Sequence, residues 1–191
     1  MKTQLMIALK ILLVMTILTG IIYPLLMTGI AQVVFPHKAN GSLVEKDGII
    51  IGSELLGQKF DSTIYFWSRP SAIDYNPIPS GASNFGPTSD KLKKQLAGFR
   101  TNFGKKNAIA DTMSIPKEMI FASASGLDPN ISPEAAFLQL NRVASARNLT
   151  EKQKLKVQQL IKNMTEEYQY LVFGERRINV FALNLALDNL R

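Results

Sequence analysis

The apolar residues of this chain are gathered at its start, where the run ILLVMTILTGIIYPLLMTGIAQVVFP from Ile11 to Pro36 carries no charge. That run exceeds the roughly 20 residues needed to cross a bilayer, so the pattern predicts a transmembrane helix over 11–36 behind a short tail, 1–10. Gly20, Pro24 and Gly29 would weaken a helix in water but are tolerated in lipid, where neighbours recover the freed backbone groups. Small residues in a membrane helix also predict close packing, which makes Gly20, Tyr23, Pro24 and Gly29 candidates for contact with partner helices. The competing reading is a cleaved signal peptide, with Lys2 and Lys10 as its basic end and Gly29-Ile30-Ala31 as its cleavage site. The run is about twice a normal signal core of ~7–15 residues and continues through Val33, Val34 and Phe35, so a retained anchor is expected. Lys2, Lys10 and the amino terminus face Lys38 and Lys46 across it, a slight bias towards an inside N-terminus and an outside domain over 37–191.

Beyond Pro36 the pattern turns polar and shortens. SLVEKDGIIIGSELLG, with Lys-Asp-Gly between apolar runs, predicts a hairpin. Thr63 to Trp67 (TIYFW), rich in β-formers and stopped by Arg69-Pro70, predicts a third strand. A long loop crowded with Pro, Gly, Ser and Asn follows from Ser68 to Pro87, and loops of that length are usually functional. Leu92, Leu96 and Phe99 share a face of a helix capped by Thr88 or Ser89 and running to about Lys105. Ser132-Pro133-Glu134 opens a helix to about Arg147, and Thr150 with Gln153 reads as a capping box for another to about Glu167. Ile178 to Leu190 reads as strand then short helix. The fold class expected is α+β, a mixed sheet with several helices, behind one N-terminal transmembrane helix.

Composition narrows the chemistry. There is no cysteine, so disulfides, thiolate metal sites and cysteine nucleophiles are excluded. With His37 the single histidine, neither a histidine metal cluster nor a Ser/His/Asp triad is expected. The net charge of +7 raises the question of nucleic acid, but the basic residues are mixed with acids and lack interleaved aromatics. Solvated helix faces are the better reading.

Two motif look-alikes fail on inspection. Gly52-Ser-Glu-Leu-Leu-Gly57-Gln58-Lys59 has its lysine out of register for a phosphate loop and lacks the magnesium-binding hydroxyl. Ala122-Ser-Ala-Ser125-Gly126 lacks the first glycine of a nucleophile elbow. Ser125-Gly-Leu-Asp128-Pro129 fixes a turn ahead of a capped helix, where Asp128 serves backbone donors or contacts a cation or partner. Arg69, Asn84, Arg142 and Arg147 are suited either to internal hydrogen-bond networks or to a docking surface.

Taken in order, Gly-Ile-Ile-Tyr23-Pro24-Leu, Ala39-Asn-Gly-Ser42, Gly52-Ser53, Gly57-Gln58, Tyr65-Phe66, Arg69-Pro70-Ser71, Ser83-Asn84, Ser123-Ala-Ser-Gly126-Leu-Asp128-Pro129, Arg142-Val-Ala and Asn179-Val180 with Leu183-Asn-Leu-Ala-Leu-Asp188 form a specific series behind a single anchor. On these residues the chain resembles the C subunit of the bacterial Kdp potassium-transporting ATPase over essentially its whole length. Asn130 departs from the pattern, which usually has His after Asp-Pro.

The resemblance implies a non-catalytic accessory subunit in the bacterial inner membrane, working with a channel-like potassium-translocating subunit, a P-type ATP-hydrolysing subunit and a small stabilising peptide. ATP and Mg would be bound by the hydrolysing partner, and this chain would have no cofactor of its own. The family is described as raising nucleotide affinity through a Gly-Gln element, which places that role on Gln58. Arg69, Asn84 and Asp128 join the anchor residues as candidate partner contacts. Two other readings stay open at this point: an anchored binding module acting alone, and an ATP-binding regulator with a cytoplasmic domain.

Overall fold

A computed structural model describes residues 1–78, 81–110 and 113–190. The chain divides into two compact units, Met1–Ser53 and Glu54–Arg191. Residues 79 and 80 of the expected Ser68–Pro87 loop lie outside the described residues.

In the first unit, helix α1 (Lys2–Ile17) passes through a π-helical turn, Leu18–Ile22, into α2 (Tyr23–Val34). Pro24 explains the turn. It has no N–H to give the carbonyl four residues back, and the ladder adjusts by a wider bond from the Tyr23 N–H to the Leu18 carbonyl. From Lys2 to Val34 the helical span is 33 residues, and its most apolar 18-residue stretch has a mean hydropathy of 2.5 with none of it buried. It is one helix long and apolar enough to cross a membrane. A short helix α3 (Pro36–Ala39) follows, closed by the Asn40 side chain donating to the Pro36 carbonyl at 2.9 Å.

Strands β1 (Leu43–Lys46) and β2 (Ile49–Ser53) form the expected hairpin, antiparallel, with Lys46 opposite Ile49 and Leu43 opposite Ser53. Asp47 (φ 54°) and Gly48 (φ 76°) are both left-handed, the conformation a two-residue turn between twisted strands requires.

The second unit holds α4 (Asp90–Lys106), β3 (Asn130–Ile131), α5 (Pro133–Ala146), α6 (Glu151–Asn163), β4 (Ile178–Asn179) and α7 (Val180–Asp188). The fold class is α+β, and among the described residues the named strands form two antiparallel two-stranded ladders, β1 with β2 in the first unit and β3 with β4 in the second. Ser132 caps α5 by accepting from the Ala135 N–H at 3.1 Å. Thr150 and Gln153 form the reciprocal capping box of α6. The core gathers Val143 from α5, Ile161 from α6, Ile178 and Leu183 from the last strand and helix, and Phe66 and Phe103, all buried.

Two expectations are corrected. Helix α6 stops at Asn163 rather than about Glu167 because the chain turns there into a hairpin, in which Glu166 and Arg177 exchange backbone bonds of 2.8 and 3.1 Å. Thr63–Trp67 is not a strand. Its backbone groups are taken by side chains of α5 and α7, so no neighbouring strand is needed to satisfy them.

Candidate functional site

The polar residues that hold Thr63–Trp67 sit on faces otherwise devoted to the core. Asn184 of α7, 2% exposed, accepts from the Phe66 N–H at 2.8 Å and donates to the Phe66 carbonyl at 2.9 Å, as a paired strand would. Gln139 of α5 repeats this at Trp67, accepting from its N–H at 2.7 Å and donating to its carbonyl at 3.3 Å. One turn on, Arg142 donates to the carbonyls of Thr63 (2.5 Å) and Tyr65 (2.9 Å), to Gln139 (2.8 Å) and to Asn107 (2.9 Å). Its guanidinium lies 4.0 Å from the centre of the Trp67 ring. Burial pulls the Arg142 pKa down to about 10. Just past α5, Arg147 donates to the Ile64 carbonyl at 2.7 Å and pairs with Asp188 at 2.6 Å. The Tyr65 hydroxyl donates to Asp188 at 3.0 Å, and its pKa is raised by burial and then by that bond.

This clamp delivers the chain at Ser68 and Arg69 to a junction of three loops. Gly57 donates its N–H to the Leu127 carbonyl at 2.7 Å, and a Cβ there would lie 2.6 Å from the Asp128 carbonyl oxygen, so only glycine fits. Gln58, half-buried, accepts from the Ser68 hydroxyl through its carbonyl at 3.1 Å. Arg69 Nη1 pairs with Asp128 at 2.6 Å, while Arg69 Nε is buried without a hydrogen-bond partner. Asp128 also accepts from the Asn130 N–H at 2.9 Å, which fixes the turn ahead of α5. Gly126, at φ +71°, presses on Ile73 and Ser71, where a Cβ would come within 2.5 Å of the Ile73 side chain. The Ser71 hydroxyl accepts from the Tyr75 N–H at 2.9 Å, and the Tyr75 hydroxyl donates to the Arg69 carbonyl. Burial pushes the Tyr75 pKa up to about 12.

Beside the junction lies a cleft of about 340 Å³ walled by Phe60, Trp67, Tyr75, Phe99 and Phe103. Lys59, Arg69 and Lys106 line it together with Asp61 and Asp74. Lys59 pairs with Asp74 at 2.8 Å, which raises the lysine pKa. The arrangement is an aromatic recess with a rim of three cations and two acids, suited to packing against an amphipathic surface rather than to proton transfer.

Of the residues named from the sequence, Arg69 and Asp128 meet directly, and Gln58 lies against the same junction. Asn84 is exposed in the long loop with φ 52°. Gly20, Tyr23, Pro24 and Gly29 are exposed on the apolar helix, and a Cβ at either glycine would meet nothing within 4 Å. Gln139 and Tyr75 are not among the residues named from the sequence, and Ser71 is named there only within the Arg69-Pro70-Ser71 motif. Gln139, a lone amide in the apolar run Ala-Ala-Phe-Leu-Gln-Leu, carried a usable signal: a polar side chain on a buried face must have a partner.

A model of the protein family described as KdpC, the K+-transporting ATPase c chain, matches residues 5–189. The chain is 48% identical over 190 residues to the potassium-transporting ATPase KdpC subunit of Geobacter metallireducens, covering 96% of each chain. It is 48% identical over 189 residues to the subunit of the same name from Methylococcus capsulatus, again covering 96% of each. The Mycobacterium tuberculosis subunit is 46% identical over 193 residues, with both chains covered completely.

Proposed function

Because the chain belongs to the KdpC family of the K+-transporting ATPase, we propose that it is an accessory subunit without an active site of its own, needed for assembly and activity of a high-affinity potassium importer. The observation that carries this reading is the family match along residues 5–189, which includes the apolar helix and the loop junction alike. The helix anchors the chain in the bilayer and packs through Gly20, Tyr23, Pro24 and Gly29 on helices of its companions. Those companions are the potassium-translocating subunit, the P-type ATP-hydrolysing subunit that binds ATP and Mg, and the small stabilising peptide.

In this reading the N-terminus is cytoplasmic and the domain lies outside the cell membrane, over the outer mouth of the potassium-translocating subunit. A domain on that side cannot reach cytoplasmic ATP. Any rise in nucleotide affinity then travels as a coupling free energy through partner helices, with Gln58, Arg69 and Asp128 at the loop junction and Asn84 in the long loop as contact candidates.

The test is deletion of residues 54–191 with the anchor kept in place. Potassium uptake from low external potassium should be abolished, whereas unchanged uptake would refute the proposal. Protease treatment of intact spheroplasts should cleave the domain; protection would place it in the cytoplasm and restore direct nucleotide contact as a mechanism.

A further inference from the structure

The hairpin that interrupts the end of α6 ends in an uncovered apolar tip. Its stem is closed by Glu166 paired with Arg177 and its upper part by Gln169 paired with Phe173. The upper pair exchanges backbone bonds of 2.8 and 2.9 Å. Two ion pairs lie along the stem, Arg176 with Glu167 at 3.1 Å and Arg177 with Glu166 at 2.9 Å. Above them stand Tyr168, Tyr170, Leu171, Val172 and Phe173, with Tyr170 and Leu171 each 89% exposed.

The tip conformation is also strained. Tyr170 (φ 52°) and Leu171 (φ 64°) occupy the left-handed region, which costs an ordinary side chain roughly 1–2 kcal/mol. A turn of this kind is readily built from Asn and Gly. Here bulky apolar residues occupy it, displayed to water with no packing return inside this unit. A contiguous exposed apolar patch of this kind marks an interaction surface.

We infer that the hairpin tip, Tyr168 to Phe173, is a docking element that inserts into an apolar recess on the water-facing side of a companion subunit. The inference rests on the accessory-subunit reading above and names one surface through which that subunit works. Area supports a protein occupant. The five side chains expose on the order of 600 Å², a large part of the roughly 800 Å² that each partner contributes to a standard interface. Composition agrees, since interface cores favour tyrosine and phenylalanine inside a charged rim. Charge speaks against the lipid surface. The stem has three acids, Glu166, Glu167 and Glu175, against two arginines, Arg176 and Arg177, so it carries no net positive charge for an anionic bilayer.

The experiment uses the full chain expressed with its companion subunits. A photo-crosslinking amino acid is placed at position 170 in one preparation and at Lys152, exposed on α6, in another. Illumination should join position 170, and not position 152, to a companion subunit. Leu171→Asp should lower recovery of the chain with its companions about tenfold, with its own melting temperature unchanged because the side chain lies outside the core. Adducts only to lipid, or none from position 170 in an intact complex, would overturn the docking element and leave the accessory-subunit reading standing. Failure of the unmodified chain to purify with any companion would overturn both.

Discussion

Two segments with similar strand-like sequences end in opposite ways. Leu43–Ser53 pairs with itself across a two-residue turn, so its backbone bonds are local. Thr63–Trp67, rich in β-formers, pairs with no strand among the described residues; side chains of Gln139, Arg142, Arg147 and Asn184, 72 to 118 residues further along the chain, take backbone groups of this segment. Strand propensity is high in both, but Thr63 and Ile64 lie in a turn whose Tyr65 N–H donates to the Ser62 carbonyl at 3.3 Å, and the identity of the other hydrogen-bond partners depends on which groups the fold brings near. A self-paired hairpin stands or falls by its turn. A side-chain-clamped segment stands or falls with the domain, because its clamps are rooted in the core helices.

The sharpest break between the two comes at Arg142. Arg142→Ala removes four hydrogen bonds and the ring contact with Trp67, leaving the Thr63 and Tyr65 carbonyls without their donor. Bonds to a charged donor contribute about 1.5–3 kcal/mol apiece but are not additive. A loss of about 3–5 kcal/mol is expected, a large share of a typical domain's 5–15 kcal/mol. Denaturant unfolding of the full chain in detergent measures it. Asn184→Ala orphans the Phe66 N–H and carbonyl, and about 2–3 kcal/mol should be lost in the same assay.

Gly48→Ala is the matching test on the hairpin. A left-handed φ of 76° penalises a side chain by about 1–2 kcal/mol, and the damage should stay local. Hydrogen exchange should quicken over 43–53 while the unfolding of the second unit is unchanged; a fall in global stability would contradict the contrast drawn here.

Alkaline pH brings out an effect that is absent at neutrality. Tyr75, whose hydroxyl holds the Arg69 carbonyl, has a folded pKa raised from 10.0 to about 12. The folded state therefore keeps its proton longer than the unfolded chain, and the stability tied to Tyr75 is complete below pH 10 and lost as pH climbs to about 12. Arg142 acts oppositely, since its lowered pKa of about 10 makes its own contribution to stability rise with pH above that value. Comparing Tyr75→Phe with the parent at each pH cancels the arginine. The variant should lose less stability than the parent across that window, and parallel curves would remove Tyr75 from the account.

What was readable in the sequence follows the same division between local and distant partners. The turn at Asp47-Gly48, the cap at Ser132 and the box at Thr150 and Gln153 were legible because each device and its partner lie within four residues. The charge-free run from Ile11 was legible from composition alone. The fate of Thr63–Trp67 was not, since nothing near it names Asn184 or Gln139. The end of α6 was missed for a related reason: the Glu166–Arg177 pairing that ends it spans eleven residues. At the loop junction the sequence presents Arg69 and Asp128 as separate features, a cation opening a long loop and an acid in a turn. Their meeting at 2.6 Å depends on Gly57 letting two backbones approach, which is a property of the assembled unit.

The central claim is that this chain works through its companions. It is tested most directly by measuring potassium-stimulated ATP hydrolysis of the remaining subunits, purified with and without the full chain. The account predicts that hydrolysis is lost when the chain is left out and returns when it is supplied. Full potassium-stimulated hydrolysis in its absence would contradict it.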